Sequence, residues 1–215
     1  MTLRVGVLHT VPALVPVFDQ LLLARRGDLD IVHTADASLL SRVVAGGVTD
    51  DVRSTLHGHL AGLRDAGAAA VLVTCSSIGE AAVEAAEAAG VPLTRVDAAM
   101  AEAAVQRAGA GAGRILVLAT LEATLGPTTR LVEARARRSG LDIDISSLVV
   151  AGAAAARAAG DQARHDALIA DAVAQAGDTD AIVLAQASMA AGAGDDPRAM
   201  TSPETGADAF VSALR

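Results

Sequence analysis

The sequence contains no lysine, no tryptophan and no tyrosine, and it has a single cysteine and two phenylalanines. Without lysine, the chain cannot form a Schiff base with pyridoxal phosphate, use a P-loop lysine or carry a lipoyl or biotinyl group. One thiol permits neither an intrachain disulfide nor a multi-cysteine zinc site, so we expect a reducing, cytoplasmic setting. These absences exclude several cofactor-dependent classes of enzyme.

Charge and hydropathy exclude two further classes of protein. The 17 basic residues are outnumbered by 25 acidic ones, which gives a net charge of -8. An acidic chain with almost no aromatic rings lacks the basic surface and the stacking surfaces of a nucleic-acid binder. Uncharged stretches such as residues 181–194 are shorter than the roughly 18 residues of a membrane span, and no signal-peptide pattern precedes the first strand-like segment. We therefore expect a soluble cytoplasmic protein with no nucleic-acid or membrane partner.

Short apolar runs alternate with longer alanine-rich segments along the whole chain. Several runs are continuously apolar, which is typical of parallel strands that are buried on both faces. The clearest candidates are Val5–Leu8, Ile31–His33, Val71–Thr74, Leu93–Val96, Ile115–Ala119, Ile143–Val150 and Ile182–Ala185. Strands that alternate with helices predict an α/β fold with parallel sheets.

The intervening segments carry helix signals. Val52, Leu56, Leu60 and Leu63 form one apolar stripe at helical spacing, which places His57 and His59 on other faces. Pro127 is expected to open a helix that Gly140 closes, and Ser202-Pro203 to start the last helix. By the same reasoning His165 lies on a polar helix face, so no metal site is predicted.

Two segments of the first half of the chain recur in the second half. Residues 4–13 match residues 114–123 at a shift of 110, and residues 71–78 match residues 182–189 at a shift of 111. Buried strands of an alanine-rich protein can look alike, but polar residues also recur at strand ends, as Thr10/Thr120 and Ser77/Ser188. We therefore predict two pseudosymmetric α/β lobes. The first comprises residues 1–97 plus about 200–215, and the second comprises residues 98–199.

Polar residues follow the apolar runs at four strand ends. They are His9-Thr10, Cys75-Ser76-Ser77, Ala119-Thr120 and Gln186-Ala187-Ser188. Ligands of parallel α/β sheets bind beyond the carboxyl ends of the strands, so lobes that face one another would bring these ends to one cleft.

Cys75 is the candidate nucleophile or proton carrier. It directly follows a strand, and Ser77-Ile-Gly-Glu80 matches a capping box at a helix N-terminus. A thiol beside unpaired backbone N–H groups and the positive end of a helix dipole is expected to have a lowered pKa. The alternative is a buried structural cysteine.

Hydroxyl groups near the same strand ends suit the binding of a carboxylate. Ser76 is the better candidate in the first lobe, since Ser77 has a capping role as well, and Thr10, Thr120 and Thr124 could bind a second carboxylate. Threonines in such places also simply finish turns. His9 could orient the thiol or stabilise the thiolate, or it could be a structural histidine at the start of a loop.

The sequence resembles the aspartate/glutamate racemase superfamily through residues 71–77, residues 114–120 with Thr124, and residues 182–189. The resemblance implies two pseudosymmetric lobes with the active site in the cleft between them, no cofactor, and often a homodimer. In the racemases one cysteine from each lobe flanks the substrate α-carbon. Cys75 matches the first cysteine, but the second falls at Gln186, whose amide cannot act as an acid or base near neutral pH.

The resemblance also implies that Ser76, Ser77 and the backbone around Ala187 hold a substrate carboxylate, with Thr120 in a similar role. The sequence therefore predicts a cofactor-independent isomerase that acts on a small amino-acid or hydantoin-like carboxylate. Three chemistries remain open to one thiol: proton donation as in a decarboxylase, covalent addition as in a cis–trans isomerase or hydrolase, and racemisation with Ser188 or His9 replacing the second thiol. The decarboxylase of this superfamily keeps its cysteine in the second lobe. A protein that binds a small carboxylate without converting it is the remaining alternative.

Overall fold

Strands and helices alternate along the chain in the computed structural model, which describes residues 2–214. The chain divides into two units of structure. Unit 1 is Met1–Val96 with Pro203–Arg215, and unit 2 is Asp97–Ser202. Each unit has its own four-stranded, all-parallel sheet, which confirms the predicted α/β class.

Unit 1 is built on four parallel strands in the order β2-β1-β3-β4. The strands are β1 (Leu3–His9), β2 (Leu29–Ala35), β3 (Val71–Val73) and β4 (Leu93–Arg95). The helices are α1 (Val15–Arg25), α2 (Ala37–Gly46), α3 (Asp50–Asp65), α4 (Gly79–Ala89) and, at the end of the chain, α9 (Ser202–Ala213). The central strands β1 and β3 are almost fully buried from Val5 to His9 and from Val71 to Val73, as their continuous apolar sequence predicts.

Unit 2 has the equivalent strand order, β6-β5-β7-β8. Its strands are β5 (Arg114–Ala119), β6 (Asp144–Val149), β7 (Ala181–Leu184) and β8 (Ala199–Met200). Its helices are α5 (Ala98–Gly109), α6 (Glu122–Ser139), α7 (Ala153–Ala158) and α8 (Gln162–Ala174). Alternate strand residues enter different apolar clusters: Val117 and Val183 pack with α5 and α6, whereas Leu118 and Leu184 pack with α8.

All seven predicted strands are present, and no end differs from its predicted position by more than two residues. The short strand β8 was not predicted, since two residues are too few for a recognisable pattern. The apolar stripe of α3 is buried as expected, with each of its four side chains at most 2% exposed. The last helix begins at Ser202, also as expected.

The predicted start of α6 is wrong. The helix begins at Glu122, so Pro127 lies inside it, although Gly140 ends it in the left-handed conformation (φ 69°) as expected. Proline cannot donate a backbone hydrogen bond, so the Ala123 carbonyl lacks its usual helical partner. The buried face formed by Thr124, Thr128, Val132 and Ala136 continues through the proline and outweighs this loss. None of the helices within residues 2–214 has the length and hydropathy needed to cross a membrane.

Candidate active site

In unit 1 the candidate residues lie at the carboxyl ends of β1 and β3. Cys75 has an extended backbone (φ -125°, ψ 116°) and connects β3 to a short 3-10 turn, Ser76–Ile78, which leads into α4. Since β1 and β3 are neighbouring parallel strands, their ends bring Thr10 close to the Cys75 thiol. The Cys75 residue keeps partial contact with solvent, whereas Thr10 and Ser76 are buried.

The Cys75 thiol lies among four hydrogen-bond donors, yet burial is the largest influence on its pKa. Burial raises the pKa, whereas the Thr10 hydroxyl, the backbone N–H groups of Ser77 and Ile78 and the Ser77 hydroxyl all lower it. The net effect is a raised pKa, so the prediction of a lowered pKa is wrong. Although the residue is not sealed from solvent, the protein around the sulfur removes more hydration than these donors replace. The resting group is therefore a protonated thiol at neutral pH.

Helix α4 begins one residue later than the predicted capping box, which put the N-cap at Ser77. The N-cap position is Ile78, which makes no side-chain capping hydrogen bond, because the turn Ser76–Ile78 is inserted before the helix. The Ser77 hydroxyl hydrogen-bonds to the thiol of Cys75. The same turn aims the N–H groups of Ser77 and Ile78 at the sulfur, where they would stabilise a thiolate.

Two buried hydroxyl groups beside Cys75 have unused hydrogen-bonding capacity. Neither Thr10 Oγ1 nor Ser76 Oγ makes a well-formed hydrogen bond with the rest of residues 2–214. The Thr10 hydroxyl does lower the pKa of the Cys75 thiol, so it lies close to the sulfur. A buried hydroxyl without a partner is costly, so a ligand oxygen that supplied one would be bound favourably.

His9 is a buried, neutral histidine whose two ring nitrogens both have partners. Its Nδ1 lies 3.0 Å from Thr74 Oγ1, and its Nε2 lies 2.9 Å from His33 Nδ1. Burial, with a smaller effect of His33, lowers the pKa of His9 to about 4. The ring also packs against Phe18, with centroids 5.9 Å apart. A neutral His9 cannot stabilise a thiolate by charge, although it can orient its neighbours.

In unit 2 the equivalent strand ends bring Thr120 and Gln186 together. Gln186 Oε1 accepts hydrogen bonds from the Thr120 N–H (2.6 Å) and from the Thr120 hydroxyl (3.0 Å). The backbone N–H can only donate, so the amide orientation is fixed and the NH₂ group of Gln186 is directed elsewhere. Gln186 follows the third strand of its unit and precedes a 3-10 segment, as Cys75 does in unit 1.

The other predicted residues of unit 2 lie near this pair along the chain. Thr124 is buried in the first turn of α6, and Ala187 and Ser188 begin the 3-10 segment Ala187–Ala193. Ala187 is buried, and Ser188 is half-buried. The N–H of Thr124 donates to the Leu121 carbonyl in the turn after β5.

Two histidines do not have the solvent-facing positions that were predicted for them. His165 is fully buried in α8, with Nδ1 2.8 Å from Asp166 Oδ1, because α7 and the segment Ala187–Ala193 pack around that helix. His59 is half-buried, with Nε2 2.9 Å from Asp36 Oδ2, whereas His57 is exposed. Within residues 2–214, no three His, Cys, Asp or Glu side chains are grouped so that they could hold a metal ion.

The sequence reasoning missed His33 and Asp19, which complete the surroundings of His9. His33 Nε2 lies 3.4 Å from Asp19 Oδ1 on α1. A signal for His33 is present in the sequence, since two of the predicted strands, β1 and β2, each carry a histidine near the carboxyl end. The neighbouring pairing of β1 and β2 is what brings these histidines together.

Comparison with known proteins places the chain in a family. Residues 24–204, which are most of the chain, match the Asp/Glu/Hydantoin racemase family. The chain belongs to the Asp/Glu/Hydantoin racemase family. This membership supports an isomerase-like enzyme of the amino-acid racemase kind. No curated protein sequence is significantly similar to the chain.

Solved structures in and around this family share the fold. A glutamate racemase isoform from Bacillus anthracis is 18% identical over 98% of this chain and 80% of its own, with a TM-score of 0.71. Picrophilus torridus aspartate racemase is 13% identical over 98% and 93%, with a TM-score of 0.66. An arylmalonate decarboxylase is 20% identical over 97% and 91%, with a TM-score of 0.58. At these identities the likeness shows a common architecture.

Proposed function

We propose that the protein is a cofactor-independent isomerase that acts on a small carboxylate, with Cys75 carrying the proton. One observation supports this proposal above all: the only thiol lies at a strand end, where two backbone N–H groups and the Ser77 and Thr10 hydroxyls favour its charged form, and the buried Ser76 hydroxyl beside it has no hydrogen-bond partner among the described residues. A purely structural cysteine has no need of donors that favour its charged form. Family membership adds the substrate class, an amino-acid or hydantoin-like acid.

The unused hydroxyl groups of Thr10 and Ser76 would bind the substrate carboxylate. Both are uncharged donors in a buried setting, where a hydrogen bond to an oxyanion is stronger than it is in water. When the adjacent carbon loses a proton or CO₂ and keeps the bonding electron pair, negative charge spreads onto this carboxylate. The same hydroxyls then stabilise the resulting carbanion.

The resting thiol is suited to proton donation. In that direction the S–H bond of Cys75 breaks, a C–H bond forms at the carbanion, and the electron pair stays on sulfur. The N–H groups of Ser77 and Ile78 stabilise the thiolate so formed. In the reverse direction the thiolate takes the proton, and the electron pair stays on carbon.

Because Gln186 stands where the resemblance puts the second thiol, the symmetric two-thiol reaction is not possible. The family resemblance puts the second proton carrier at this position, and an amide cannot carry a proton near neutral pH. Since Thr120 occupies the amide oxygen, Gln186 can offer only its NH₂ group to another partner. We assign the second proton transfer to water: it protonates the carbanion and leaves as hydroxide, and the hydroxide takes the proton that the Cys75 thiolate removed from the substrate, which restores the thiolate.

Decarboxylation is the second candidate function, and the raised pKa of Cys75 favours it. The C–C bond to one carboxylate of a substituted malonate would break, CO₂ would leave with no electrons from that bond, and Cys75 would protonate the carbanion. This reaction needs one proton carrier, which matches the single thiol. Addition of a resting thiolate to a double bond or carbonyl is less compatible with a thiol that is protonated at neutral pH.

A substrate panel separates the two candidates. Amino acids, 5-substituted hydantoins and 2-substituted malonates are incubated with the protein, and chiral chromatography and CO₂ release are measured. We expect inversion of an amino acid or hydantoin, or CO₂ release from a malonate, and loss of either in Cys75→Ala. The exposed Ser54→Ala variant on α3 is the matched control. Turnover that persists in folded Cys75→Ala would contradict the role of the thiol, and binding without turnover would favour a carboxylate-binding protein.

A further inference from the structure

A chain of four side chains links the surface of unit 1 to the residue before Cys75. Asp19 Oδ1 lies 3.4 Å from His33 Nε2, His33 Nδ1 lies 2.9 Å from His9 Nε2, and His9 Nδ1 lies 3.0 Å from Thr74 Oγ1. The outer end is open to water, since the Asp19 side chain is 48% exposed. Thr74 and His9 are buried. In this order, the four side chains belong to α1, to β2, to β1 and to the residue directly after β3.

The carboxylate of Asp19 determines which atom donates the hydrogen in each contact between these four side chains. A carboxylate only accepts, so His33 Nε2 carries a hydrogen, and in neutral His33 the Nδ1 atom is then an acceptor. His9 Nε2 must therefore donate to His33, which leaves His9 Nδ1 as an acceptor. The 3.0 Å contact between Nδ1 and Thr74 Oγ1 then requires the Thr74 hydroxyl to donate.

We propose that Asp19 and His33 are positioning residues that set the tautomer of His9 and, through it, direct the Thr74 hydroxyl next to Cys75. The competing acceptor for that hydroxyl is the Leu8 carbonyl, 3.3 Å away, which already accepts the Thr74 N–H at 3.1 Å. When His9 Nδ1 accepts the Thr74 hydroxyl hydrogen, the Thr74 side chain is hydrogen-bonded to the last residue of β1. This holds the peptide that leads into Cys75.

Contacts around the two rings support a fixed arrangement. The His9 and His33 rings are stacked, with centroids 5.2 Å apart and planes inclined by 28°. The ring of Phe18, one residue before Asp19 on α1, also packs against the His9 ring, with centroids 5.9 Å apart. Burial, with a smaller effect of His33, keeps His9 neutral, so its tautomer is the property that the hydrogen bond from His9 to His33 sets.

The tautomers can be read directly by NMR of the ¹⁵N-histidine-labelled protein, without any substrate. At about pH 8, well above the pKa of His9, we expect both His9 and His33 to carry a ring hydrogen on Nε2. In Asp19→Ala, which removes the acceptor, we expect His33 and His9 to lose this single tautomer. Asp30→Ala, at the other end of β2 and paired with Arg4, is the matched control and should leave both rings unchanged.

The positioning role itself rests on the proposed function and has a separate readout. On any substrate that the panel identifies, we expect Asp19→Ala and His33→Gln to lower kcat with little change in KM, because neither residue touches the substrate. A purely structural role would instead lower stability and leave kcat per folded molecule unchanged. A His9 ring protonated at Nδ1 in the unmodified protein, or a His9 tautomer unchanged in Asp19→Ala, would overturn the proposal even if no substrate were ever found.

Discussion

At the scale of single residues, Cys75 is governed by two opposing effects. Desolvation favours the neutral thiol, whereas two backbone N–H groups and two hydroxyls favour the thiolate. Desolvation has the larger effect, so the pKa of the thiol is raised and the resting group is protonated. The donors become important once the sulfur is charged, which in the proposed reaction is the state that follows proton transfer to the substrate.

Alkylation of Cys75 by iodoacetamide measures this balance. Only the thiolate reacts, so we expect the rate to rise with pH to a midpoint above the ordinary thiol value. Thr10→Val removes one donor and should move the midpoint up by roughly 1 pH unit. Thr55→Val on α3 makes the same chemical change away from the site and should leave the midpoint in place. A midpoint near neutrality, or no difference between the two variants, would contradict the described surroundings of the thiol.

The neighbours of Cys75 could be predicted from the sequence in part. The carboxyl ends of neighbouring parallel strands meet at one edge of a sheet, and the pairing of β1 with β3 accordingly brings Thr10 close to the Cys75 thiol. The sign of the pKa shift could not be predicted, because it depends on how much protein surrounds the sulfur after folding. His33 was missed for a similar reason, since it approaches His9 only through the pairing of β1 with β2.

At the scale of elements, the close approach of α9 to the end of β4 fixes Gly206. A Cβ atom at Gly206 would lie 2.5 Å from the Val96 carbonyl oxygen and 2.6 Å from Val96 Cγ2. The Val96 backbone is held in turn, because its N–H donates to the Val73 carbonyl at 3.0 Å. The glycine therefore allows the last helix to pack on the sheet of unit 1.

Two glycine substitutions in helices of unit 1 should have opposite effects on stability. Gly206→Ala forces overlap with backbone atoms, and we expect the free energy of unfolding to fall by about 1–3 kcal/mol. Gly62→Ala in α3 has open space around its Cβ and should raise it by about 0.5–1 kcal/mol, because alanine favours the helix. Urea unfolding followed by circular dichroism measures both. Equal effects of the two variants would contradict the packing of α9.

Helix α6 illustrates the limit of local signals. Gly140 was correctly predicted as its end, because a left-handed residue after a helix is a local requirement. Its start was misplaced because proline usually opens helices. The buried residues from Thr124 onward decide the outcome, and their burial depends on contacts with α5 and β5 that the local sequence does not contain.

At the scale of the whole molecule, the sequence repeat agrees with the strand order, which is equivalent in the two units. The matched segments around Thr10 and Thr120, and around Cys75 and Gln186, lie at equivalent strand ends of sheets with the same order. The fold class could be predicted because continuous apolar runs are characteristic of buried parallel strands. The substrate could not be predicted, since side-chain hydroxyl groups can bind many different carboxylates.

His9 should make the stability of the protein depend on pH. Its folded pKa of about 4 lies below the ordinary value of 6.5, so the unfolded chain binds a proton that the folded protein does not. Stability is therefore full above pH 6.5 and falls by up to about 3 kcal/mol as the pH drops to 4. Unfolding in urea at a series of pH values measures this slope.

Two variants isolate the contribution of His9 to that slope. His9→Gln should be less stable near neutrality but should lose most of the decline between pH 6.5 and 4. His57→Gln, which changes an exposed histidine on α3, should retain it. The buried neutral state of His9 would be refuted by slopes that are the same in both variants.

A gain-of-function variant addresses the second proton carrier. Gln186→Cys places a thiol at the unit 2 position that is equivalent to Cys75, and we expect it to accelerate isomerisation of the substrate that the panel identifies. Gln186→Ser, which cannot carry a proton near neutral pH, is the matched control. No gain in a folded Gln186→Cys variant would argue against the equivalence of the two positions.

In the proposed reaction Cys75 transfers its proton to a carbon atom of the substrate, and deuterium incorporation tests this transfer most directly. The amino acids, hydantoins and malonates of the panel are incubated in D₂O, and ¹H NMR and mass spectrometry follow the α-carbon or the product of decarboxylation. We predict incorporation by the unmodified protein and by Ser54→Ala, and none above background by folded Cys75→Ala. Equal incorporation by Cys75→Ala, or none by the unmodified protein with any member of the panel, would contradict the account.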